Sequence, residues 1–408
     1  MKLIILTQYF PPEIGAPQNR LFELAVRLKN AGVEITVLTA MPNYPQMQIH
    51  DSYKGKRYAY EEIDGIKVHR SRIYIPRSKS IFARLLNYFS FVNSSYWTGR
   101  RKLENADFLL VESPPLFLGM SATRLAKRKN AKLIFNVSDL WPESAEKLGL
   151  VTNKLFLKMA YRLEASLYNK SALITGQTQG IVKSISDRFP KNKVYWLKNG
   201  TDLTFFDAQQ HSRNWRSDNG FEETDRLFLY AGIIGHAQGL EVIIEAASRF
   251  LQNNNVKFII LGSGPEKEKL LALSKELTTT NVIFYDAVSK QEMPAIISAC
   301  NATIIPLKKL DLFKGAIPSK IFESLAMEKP LLLGVEGEAK ELFIDQANAG
   351  LFFEPGSAEK LTDAINILLN QPDLFDQLGT NGRNFVSIHF NRDTIASEFF
   401  KFLSENLK

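Results

Sequence analysis

Cysteine and histidine are scarce in this 408-residue sequence, which has one cysteine and five scattered histidines. Cys300 cannot form an internal disulfide and it follows Ile-Ile-Ser-Ala, so we expect it to fill a small buried apolar position. The sequence contains no Walker phosphate-binding loop, no His-Glu-x-x-His motif and no Cys-x-x-Cys pair. These absences argue against ATP hydrolysis by a P-loop and against metal-dependent hydrolysis, and we predict no metal site.

Long apolar runs are also missing. The first seven residues, MKLIILT, are too short an apolar run for a signal peptide and lack a small-residue cleavage site, so they predict a first strand and a cytoplasmic location. The uncharged stretch 85–99 would span about 22 Å as a helix, which is less than the roughly 30 Å hydrocarbon core of a bilayer. The hydrophobic share of 45% and the charged share of 23% are those of a globular protein, and the length favours two domains.

Acidic residues are absent between Asp64 and Glu104. Nine basic residues lie there: Lys67, Arg70, Arg72, Arg77, Lys79, Arg84, Arg100, Arg101 and Lys102. The rest of the chain has 42 basic and 43 acidic residues, so residues 67–102 carry the whole net charge of +8. Because this segment is also aromatic, it is typical of a surface that contacts anionic lipid. The alternative is a solvated face beside aromatic residues that pack in the core.

Short apolar runs alternate with amphipathic stretches, a pattern typical of α/β domains with parallel sheets. We predict strands at residues 2–7, 34–39, 107–112, 132–137, 172–175, 193–197, 226–231, 257–261, 281–285, 302–306, 331–335 and 351–353. We place a domain junction between residues 197 and 225, where a polar stretch lacks periodicity. The prediction is two doubly wound domains, residues 1–198 and 199–387, which bind ligands at the carboxyl ends of their strands. A last helix within 388–408 could pack against either domain, including back on the first.

Glycines follow three of the predicted strands and precede the next helix. They are Gly15, followed by Ala16, then Gly232 with Gly235, and Gly262 with Gly264. A glycine at such a position lets backbone amides approach a phosphate at the positive end of a helix. Each single case also has a structural explanation, because turns between strands and helices often contain glycine. Three cases in one chain favour a phosphate site.

A lysine and a glutamate stand one turn apart at a predicted helix start. Pro318 and Ser319 are typical of the beginning of a helix, which places Lys320 and Glu323 on the same face. The lysine could contact phosphate oxygens while the carboxylate accepts hydrogen bonds from vicinal hydroxyls. The alternative is an exposed ion pair worth a few tenths of a kcal/mol.

Five motifs follow one another along the whole chain. They are QYFPPEIGA at 8–16, DLWPES at 139–144, NGTD at 199–202, GIIGHAQGLE at 232–241, and Pro318-Ser319-Lys320 with Glu323. Together they resemble the motifs of glycosyltransferase family 4, the retaining enzymes of the GT-B fold. The resemblance points to the bacterial branch for cell-surface polysaccharides that includes the N-acetyl-L-fucosamine transferases.

The resemblance implies two Rossmann-like domains that face each other across a cleft. The first would bind the acceptor, and the second would bind a nucleotide-diphosphate sugar without any further cofactor. Glu323 resembles the glutamate that holds the ribose hydroxyls, and Ser319 and Lys320 belong to the same motif. Gly15 and Ala16 resemble the loop that closes over the diphosphate.

Two positions depart from the family pattern. Gly315 stands where the family has the first glutamate of its paired-glutamate motif, and this implies that backbone amides near Ala316 and Ile317 make that contact. Gln238 stands where many relatives have a lysine, which leaves Lys320 as the cation for the diphosphate.

The resemblance implies metal-independent transfer with retention, stabilised by fixed dipoles and side-chain cations. Asp139 is the first candidate for an acceptor-side or charge-stabilising carboxylate, Glu143 is the second, and Glu13 could orient the acceptor. Asp139 and Glu143 have a structural alternative as acidic residues at a helix start.

These observations predict a glycosyltransferase with a UDP-sugar donor and a lipid-linked saccharide acceptor, working at the inner face of the plasma membrane in capsule, O-antigen or exopolysaccharide synthesis. Two alternatives stay open. A nucleotide-sugar epimerase of the same architecture would need more acid/base pairs than the sequence offers. A basic nucleic-acid-binding protein would explain residues 67–102, but no recognised binding module occurs, and we expect no nucleic-acid partner.

Overall fold

The computed structural model describes residues 1–13, 15–44, 47–76, 81–210 and 214–407. Within these residues the chain divides into two units. Unit 1 comprises Met1–Asn199 and Arg392–Lys408, and unit 2 comprises Gly200–Asn391. Each unit has its own sheet and its own apolar core.

Unit 1 is built on an eight-stranded sheet. Its strands are β1 (Lys2–Leu6), β2 (Glu34–Ala40), β3 (Tyr58–Ile63), β4 (Ile66–Ser71), β5 (Phe108–Ser113), β6 (Lys132–Val137), β7 (Leu173–Gly176) and β8 (Val194–Trp196). Its first six helices are α1 (Ala16–Asn30), α2 (Ile81–Lys102), α3 (Leu118–Arg128), α4 (Glu143–Lys147), α5 (Lys154–Lys170) and α6 (Gln179–Arg188). The strand order is β3-β4-β2-β1-β5-β6-β7-β8. Because the order reverses at β1, the carboxyl ends of β1 and β5 mark the place where such sheets bind ligands.

One edge of this sheet is antiparallel, and the sequence analysis did not predict it. Strands β3 and β4 form a hairpin whose two connecting residues, Asp64 and Gly65, both have positive φ. Asp-Gly is a strong signal for a two-residue hairpin turn, because both positions must adopt left-handed backbone angles. The other neighbouring strands of this sheet are parallel.

Unit 2 is built on a six-stranded parallel sheet. Its strands are β9 (Arg226–Ala231), β10 (Val256–Leu261), β11 (Val282–Tyr285), β12 (Ala302–Pro306), β13 (Leu331–Gly334) and β14 (Gly350–Phe352). Its helices are α7 (Asn214–Asp218), α8 (Glu241–Ala247), α9 (Lys267–Glu276), α10 (Met293–Ala299), α11 (Lys320–Ala326), α12 (Glu338–Lys340), α13 (Ala358–Asn370) and α14 (Asp373–His389), with a π-helical turn at Glu341–Gln346. The strand order is β11-β10-β9-β12-β13-β14.

The α/β fold class with two doubly wound sheets is confirmed. Each of the twelve predicted strands is present, with both ends within one residue of the prediction. The strands are apolar almost throughout because helices cover both faces of each sheet, as in β5, where all six residues are buried. Cys300 is buried and reduced, as expected, at the end of α10.

The last helix, α15 (Arg392–Glu405), returns to unit 1 and packs against α1. The Phe402 ring stacks on Tyr195 of β8 at 4.1 Å between centroids, and Phe399 is fully buried beside them. Arg27 of α1 donates to the Asp393 carboxylate at 2.6 Å. An apolar stripe therefore binds the end of the chain to the first unit.

None of the helices in the described part of the chain combines the length and the apolar character needed to cross a membrane.

Candidate active site

In unit 2, two strand-end loops lie against each other. Gly232 follows β9, Gly262 follows β10, and the Ile234 amide donates to the Ser263 carbonyl at 2.9 Å. Gly262 has φ of +148°, and a Cβ there would overlap the Gly232 carbonyl oxygen. Only glycine therefore permits this approach of the two loops. Gly262 is thus explained by the packing of the two loops alone. The same close packing fixes the backbone of both loops.

Lys320 lies directly on the first of these loops. Its ammonium lies over the face of the Tyr230 ring, 3.8 Å from the centroid, and a Cβ on Gly232 would lie 2.9 Å from the same nitrogen. Lys320 keeps some surface exposure as a residue, but its ammonium is packed within protein. This burial lowers the pKa of Lys320 to about 7, although the nearby Glu323 carboxylate acts in the opposite direction.

Lys320 and Glu323 also line one small cavity beneath the strand ends. Its volume is about 20 Å³, and other lining residues include Thr303 and Ser324. The Thr303 hydroxyl is buried there without a hydrogen-bond partner in the described residues. Such a cavity has room for about one water molecule. The cavity is therefore too small to hold a nucleotide.

The remaining predicted residues of unit 2 occupy the same loops. Gly235 and Gln238 follow β9, and the Gln238 amide donates to the Gly235 carbonyl at 3.1 Å. Gly264 lies against the Ile234 carbonyl, where a Cβ would overlap it. Ser319 immediately precedes α11 and makes no side-chain cap bond in the described structure.

The expectation for the backbone near Gly315 needs a correction. The Ala316 amide donates to the Phe313 carbonyl at 3.0 Å, within the 3₁₀ turn Asp311–Gly315. Because this bond already uses the Ala316 N–H, the Ile317 amide is the remaining candidate at this position.

In unit 1, Gly15 stands before α1 with an extended backbone. No side chain of the described residues caps this helix, and its first turn contains no acidic residue. A Cβ on Gly15 would overlap the Gln18 amide group, and the Gln18 oxygen is buried without a hydrogen-bond partner in the described chain. Ala16 is the first residue of the helix. Uncapped amides at a helix start attract anions.

Glu13 is buried beneath this loop. Its oxygens accept hydrogen bonds from the backbone amides of Phe10, Asn43 and Tyr44, at 3.1, 2.8 and 2.9 Å. Burial raises the pKa of Glu13, while these three amides and the Arg70 charge lower it. Glu13 thus joins two loops at the carboxyl edge of the sheet, and any influence on an acceptor would act through their positions.

Asp139 lies on the loop between β6 and α4, and Glu143 is the first residue of α4. Ser144 donates to the Asp139 carboxylate at 2.8 Å, and Lys147 donates to Glu143 at 2.6 Å. The Asp139 residue is exposed, yet surrounding protein removes enough water to raise the pKa of its carboxyl. The Ser144 and backbone Leu140 hydrogen bonds oppose this effect.

Sequence reasoning missed a buried polar cluster in unit 1. Arg20 donates to Glu112 at 2.7 Å and to Ser138 at 2.9 Å. Asn136 and Ser138 also donate to the two oxygens of Glu112. Gln177 completes the cluster when its side-chain oxygen accepts from Arg20 at 2.9 and 3.0 Å.

This cluster joins α1 to the carboxyl ends of β5, β6 and β7. Two features of the sequence could have revealed this cluster. A polar residue stands near the end of each apolar strand, and Arg20 lies four residues before Leu24 on the buried face of α1. Buried charge pairs are costly to desolvate, and this one lies at the edge of the sheet where open α/β folds bind ligands.

The basic segment 67–102 is divided between the core and the surface. Arg70 is fully buried and donates to Glu61 and to the Pro11 carbonyl, so it cannot contact lipid. Lys67 donates to Glu34 at 3.1 Å. On α2, Phe91 is buried while Trp97 is exposed beneath Arg100 and Arg101, whose guanidinium carbons lie 5.2 and 5.7 Å from the ring centroid. Arg77 and Lys79 lie outside the described residues.

Each unit matches a family of glycosyl transferases. Residues 15–200 match the glycosyl transferase 4-like domain family, and residues 211–385 match the family of glycosyl transferases group 1. The chain belongs to the group 1 glycosyltransferases. The family-level resemblance of the sequence motifs is therefore confirmed.

Relatives of this glycosyltransferase share its full length. WcaI of Escherichia coli strain K12, whose name assigns it to colanic acid biosynthesis as a glycosyl transferase, is 26% identical over 98% of both chains. O-antigen chain mannosyltransferase C of Escherichia coli is 20% identical over 97% of this chain and 96% of its own.

Solved structures confirm the GT-B fold of this glycosyltransferase. Sucrose-phosphate synthase from Thermosynechococcus elongatus superposes with a TM-score of 0.77 at 16% identity, over 100% of this chain and 99% of its own. HepE of Anabaena, solved in complex with UDP and glucose, superposes with a TM-score of 0.74 at 16% identity, over 99% of this chain and 100% of its own.

Proposed function

We propose that this glycosyltransferase moves a sugar, with retention, from a UDP-sugar to a lipid-linked saccharide during synthesis of a bacterial cell-surface polysaccharide. The observation that carries the donor proposal is Lys320 against the Gly232 loop, with Glu323 one turn further along α11. An ammonium beside a strand-end glycine loop suits a diphosphate, and a carboxylate beside it suits ribose hydroxyls. UDP is chosen because the Anabaena relative was solved with it.

The acceptor proposal rests on the two full-length relatives. One is named for colanic acid and the other for O-antigen chains, and both names refer to bacterial polysaccharides. We assign acceptor binding to the first predicted domain, residues 1–198, and donor binding to the second, residues 199–387. The enzyme would work at the inner face of the plasma membrane. Within the family, we propose that it belongs to the branch that includes the N-acetyl-L-fucosamine transferases.

The chemistry would proceed without a metal. The bond between the anomeric carbon and the diphosphate oxygen breaks, and the acceptor hydroxyl attacks from the face that the diphosphate leaves. A phosphate oxygen of the leaving group takes the hydroxyl proton. In unit 2, Lys320 would stabilise the departing negative charge. In unit 1, we propose that the uncapped amides of α1 attract anionic groups and that the carboxylates of Asp139 and Glu143 attract positive charge.

A thermal-shift screen with UDP and GDP tests the donor proposal. A nucleotide at a hundred times its dissociation constant adds about 2.7 kcal/mol to the free energy of unfolding. Because UDP is the proposed donor nucleotide, UDP should raise Tm more than GDP at the same concentration. Glu323→Ala should abolish the UDP response by removing the acceptor for the ribose hydroxyls. Glu245→Ala is the matched control, because Glu245 is exposed on α8 away from this group.

A full UDP response in Glu323→Ala would refute the ribose assignment. Interconversion of UDP-sugars without an acceptor would favour the epimerase instead. Retardation of nucleic acid in a gel, together with no response to either nucleotide, would favour the nucleic-acid-binding alternative.

A further inference from the structure

Large apolar side chains are exposed together on one surface of unit 1. Six of them have exposed fractions between 37% and 69%: Leu86 and Phe89 on α2, Leu148 and Leu150 after α4, and Leu155 and Met159 on α5. We call these six residues the apolar patch. Exposed apolar groups in contiguous patches mark interaction surfaces, whereas single ones need no explanation.

The members of the apolar patch are joined by a cluster of rings. The Phe117 centroid lies 4.9 Å from Phe89 on α2, 5.2 Å from Trp141 and 6.4 Å from Phe156 on α5. These contacts bring the α2 and α5 parts of the patch onto one surface. Phe117 follows β5 and Trp141 follows β6, so the surface adjoins the carboxyl edge of the sheet, where the acceptor is proposed to bind.

Helix α5 has two different faces. Leu157, Ala160, Glu164 and Leu167 are buried and turn toward the core. The opposite face exposes Leu155, Lys158, Met159 and Arg162, which follow the spacing i, i+3, i+4 and i+7. Apolar and cationic side chains thus share the exposed face of α5, while its other face is buried in the core.

The segment 147–163, which contributes Leu148, Leu150, Leu155 and Met159 to the apolar patch, has charges of one sign. Residues 147–163 contain no acidic residue and four basic ones: Lys147, Lys154, Lys158 and Arg162. Just before this stretch, Glu146 accepts a hydrogen bond from Tyr161 at 2.6 Å. A second copy of the same surface would bring like charges together, whereas an anionic bilayer offers both negative headgroups and hydrocarbon.

We propose that the apolar patch docks unit 1 on an anionic bilayer, with Leu155 and Met159 at the headgroup boundary and Lys158 and Arg162 against lipid phosphates. This inference rests on the proposed lipid-linked acceptor, and it assigns the contact chiefly to α5 and not to residues 67–102. Docking there brings the carboxyl edge of the unit 1 sheet to the lipid surface, where the saccharide of such an acceptor is displayed.

Sedimentation with vesicles of phosphatidylglycerol and phosphatidylcholine tests the proposal. The double variant Leu155→Ser/Met159→Ser should bind at least about tenfold more weakly, because two apolar side chains lose their insertion. Ile388→Ser is the matched control, since Ile388 on α14 is exposed to the same 69% as Leu155 but lies in unit 2. Its binding should be unchanged.

A charge arm uses Lys158→Glu/Arg162→Glu, which should reduce binding about tenfold or more on mixed vesicles. Unchanged binding in the apolar double variant, or an equal loss in Ile388→Ser, would overturn the proposal. The proposal would also be overturned if the wild type does not bind vesicles and forms a dimer in analytical ultracentrifugation that is lost in the apolar double variant. The UDP thermal shift should be the same in all these variants, which separates this test from the donor proposal.

Discussion

Side chains with the same formal charge have different chemistry here because their surroundings differ. Lys320 packs on Tyr230, and burial lowers its pKa to about 7. Arg70 is equally a cation, but its hydrogen bonds to Glu61 and to the Pro11 carbonyl make it part of the core. At the residue scale, therefore, the environment of each charge decides whether it can meet a ligand.

The low pKa of Lys320 predicts a pH-dependent donor affinity. Above about pH 7, Lys320 of the enzyme without nucleotide is neutral. A bound diphosphate favours the charged ammonium, so nucleotide binding is accompanied by uptake of a proton. UDP affinity should fall as the pH rises from about 7 to about 9, by up to about tenfold per pH unit. Calorimetry in buffers of different ionisation enthalpy measures both the affinity and the proton uptake.

Lys320→Arg is the control for this titration, because a guanidinium stays charged over the whole range. An equally steep pH dependence in Lys320→Arg would assign the titration to another group. Without nucleotide, stability should rise with pH from about 7 towards the ordinary lysine pKa of 10.5, since the unfolded chain binds a proton that the folded chain releases.

At the scale of elements, the ends of the strands carry the site. The β9 and β10 loops approach so closely that Gly262 has no room for a side chain. In unit 1, the polar cluster around Arg20 and Glu112 joins the ends of three strands to α1. Both arrangements fix the backbone at the edge of the sheet where open α/β folds bind ligands.

Gly262→Ala should destabilise unit 2 by about 1–3 kcal/mol, because it combines a positive φ with an overlap on the Gly232 carbonyl. The same shift of the loops should weaken UDP binding through Lys320. Gly235→Ala is the matched control: it lies in the neighbouring loop after β9, where the closest atom to a Cβ is 3.5 Å away. Thermal unfolding with and without UDP measures both effects, and equal losses in the two variants would contradict the packing argument.

At the scale of the whole molecule, unit 1 is built from two separate segments of the chain, whereas unit 2 is continuous. The chain leaves unit 1 at Asn199 and re-enters it at Arg392, and α15 completes its core. Beside the point of return, Thr201 is buried and its amide donates to the Phe390 carbonyl at 3.0 Å. The NGTD motif thus contributes a hydrogen bond within unit 2 that joins the two ends of that unit.

Phe399→Ala should lower the unfolding free energy of unit 1 by about 3–5 kcal/mol, because it removes a fully buried ring from the contact between α15 and β8. Hydrogen–deuterium exchange should accelerate in α1 and β8 and stay unchanged in unit 2. Lys401→Ala, at an exposed position of the same helix, should leave exchange unchanged. Acceleration in unit 2 by Phe399→Ala would show that α15 supports both units.

The sequence determined the twelve strands it predicted, because a strand covered on both faces must be apolar and this pattern is local. It also determined the family, through motifs at strand ends such as Gly232 and Pro318-Ser319-Lys320. Only tertiary structure decided which charges are buried, since Arg20 meets Glu112 across 92 positions of the chain. It likewise decided that Phe89 of α2 and Phe156 of α5 both pack on Phe117, because contacts between distant segments depend on how helices pack and not on local periodicity.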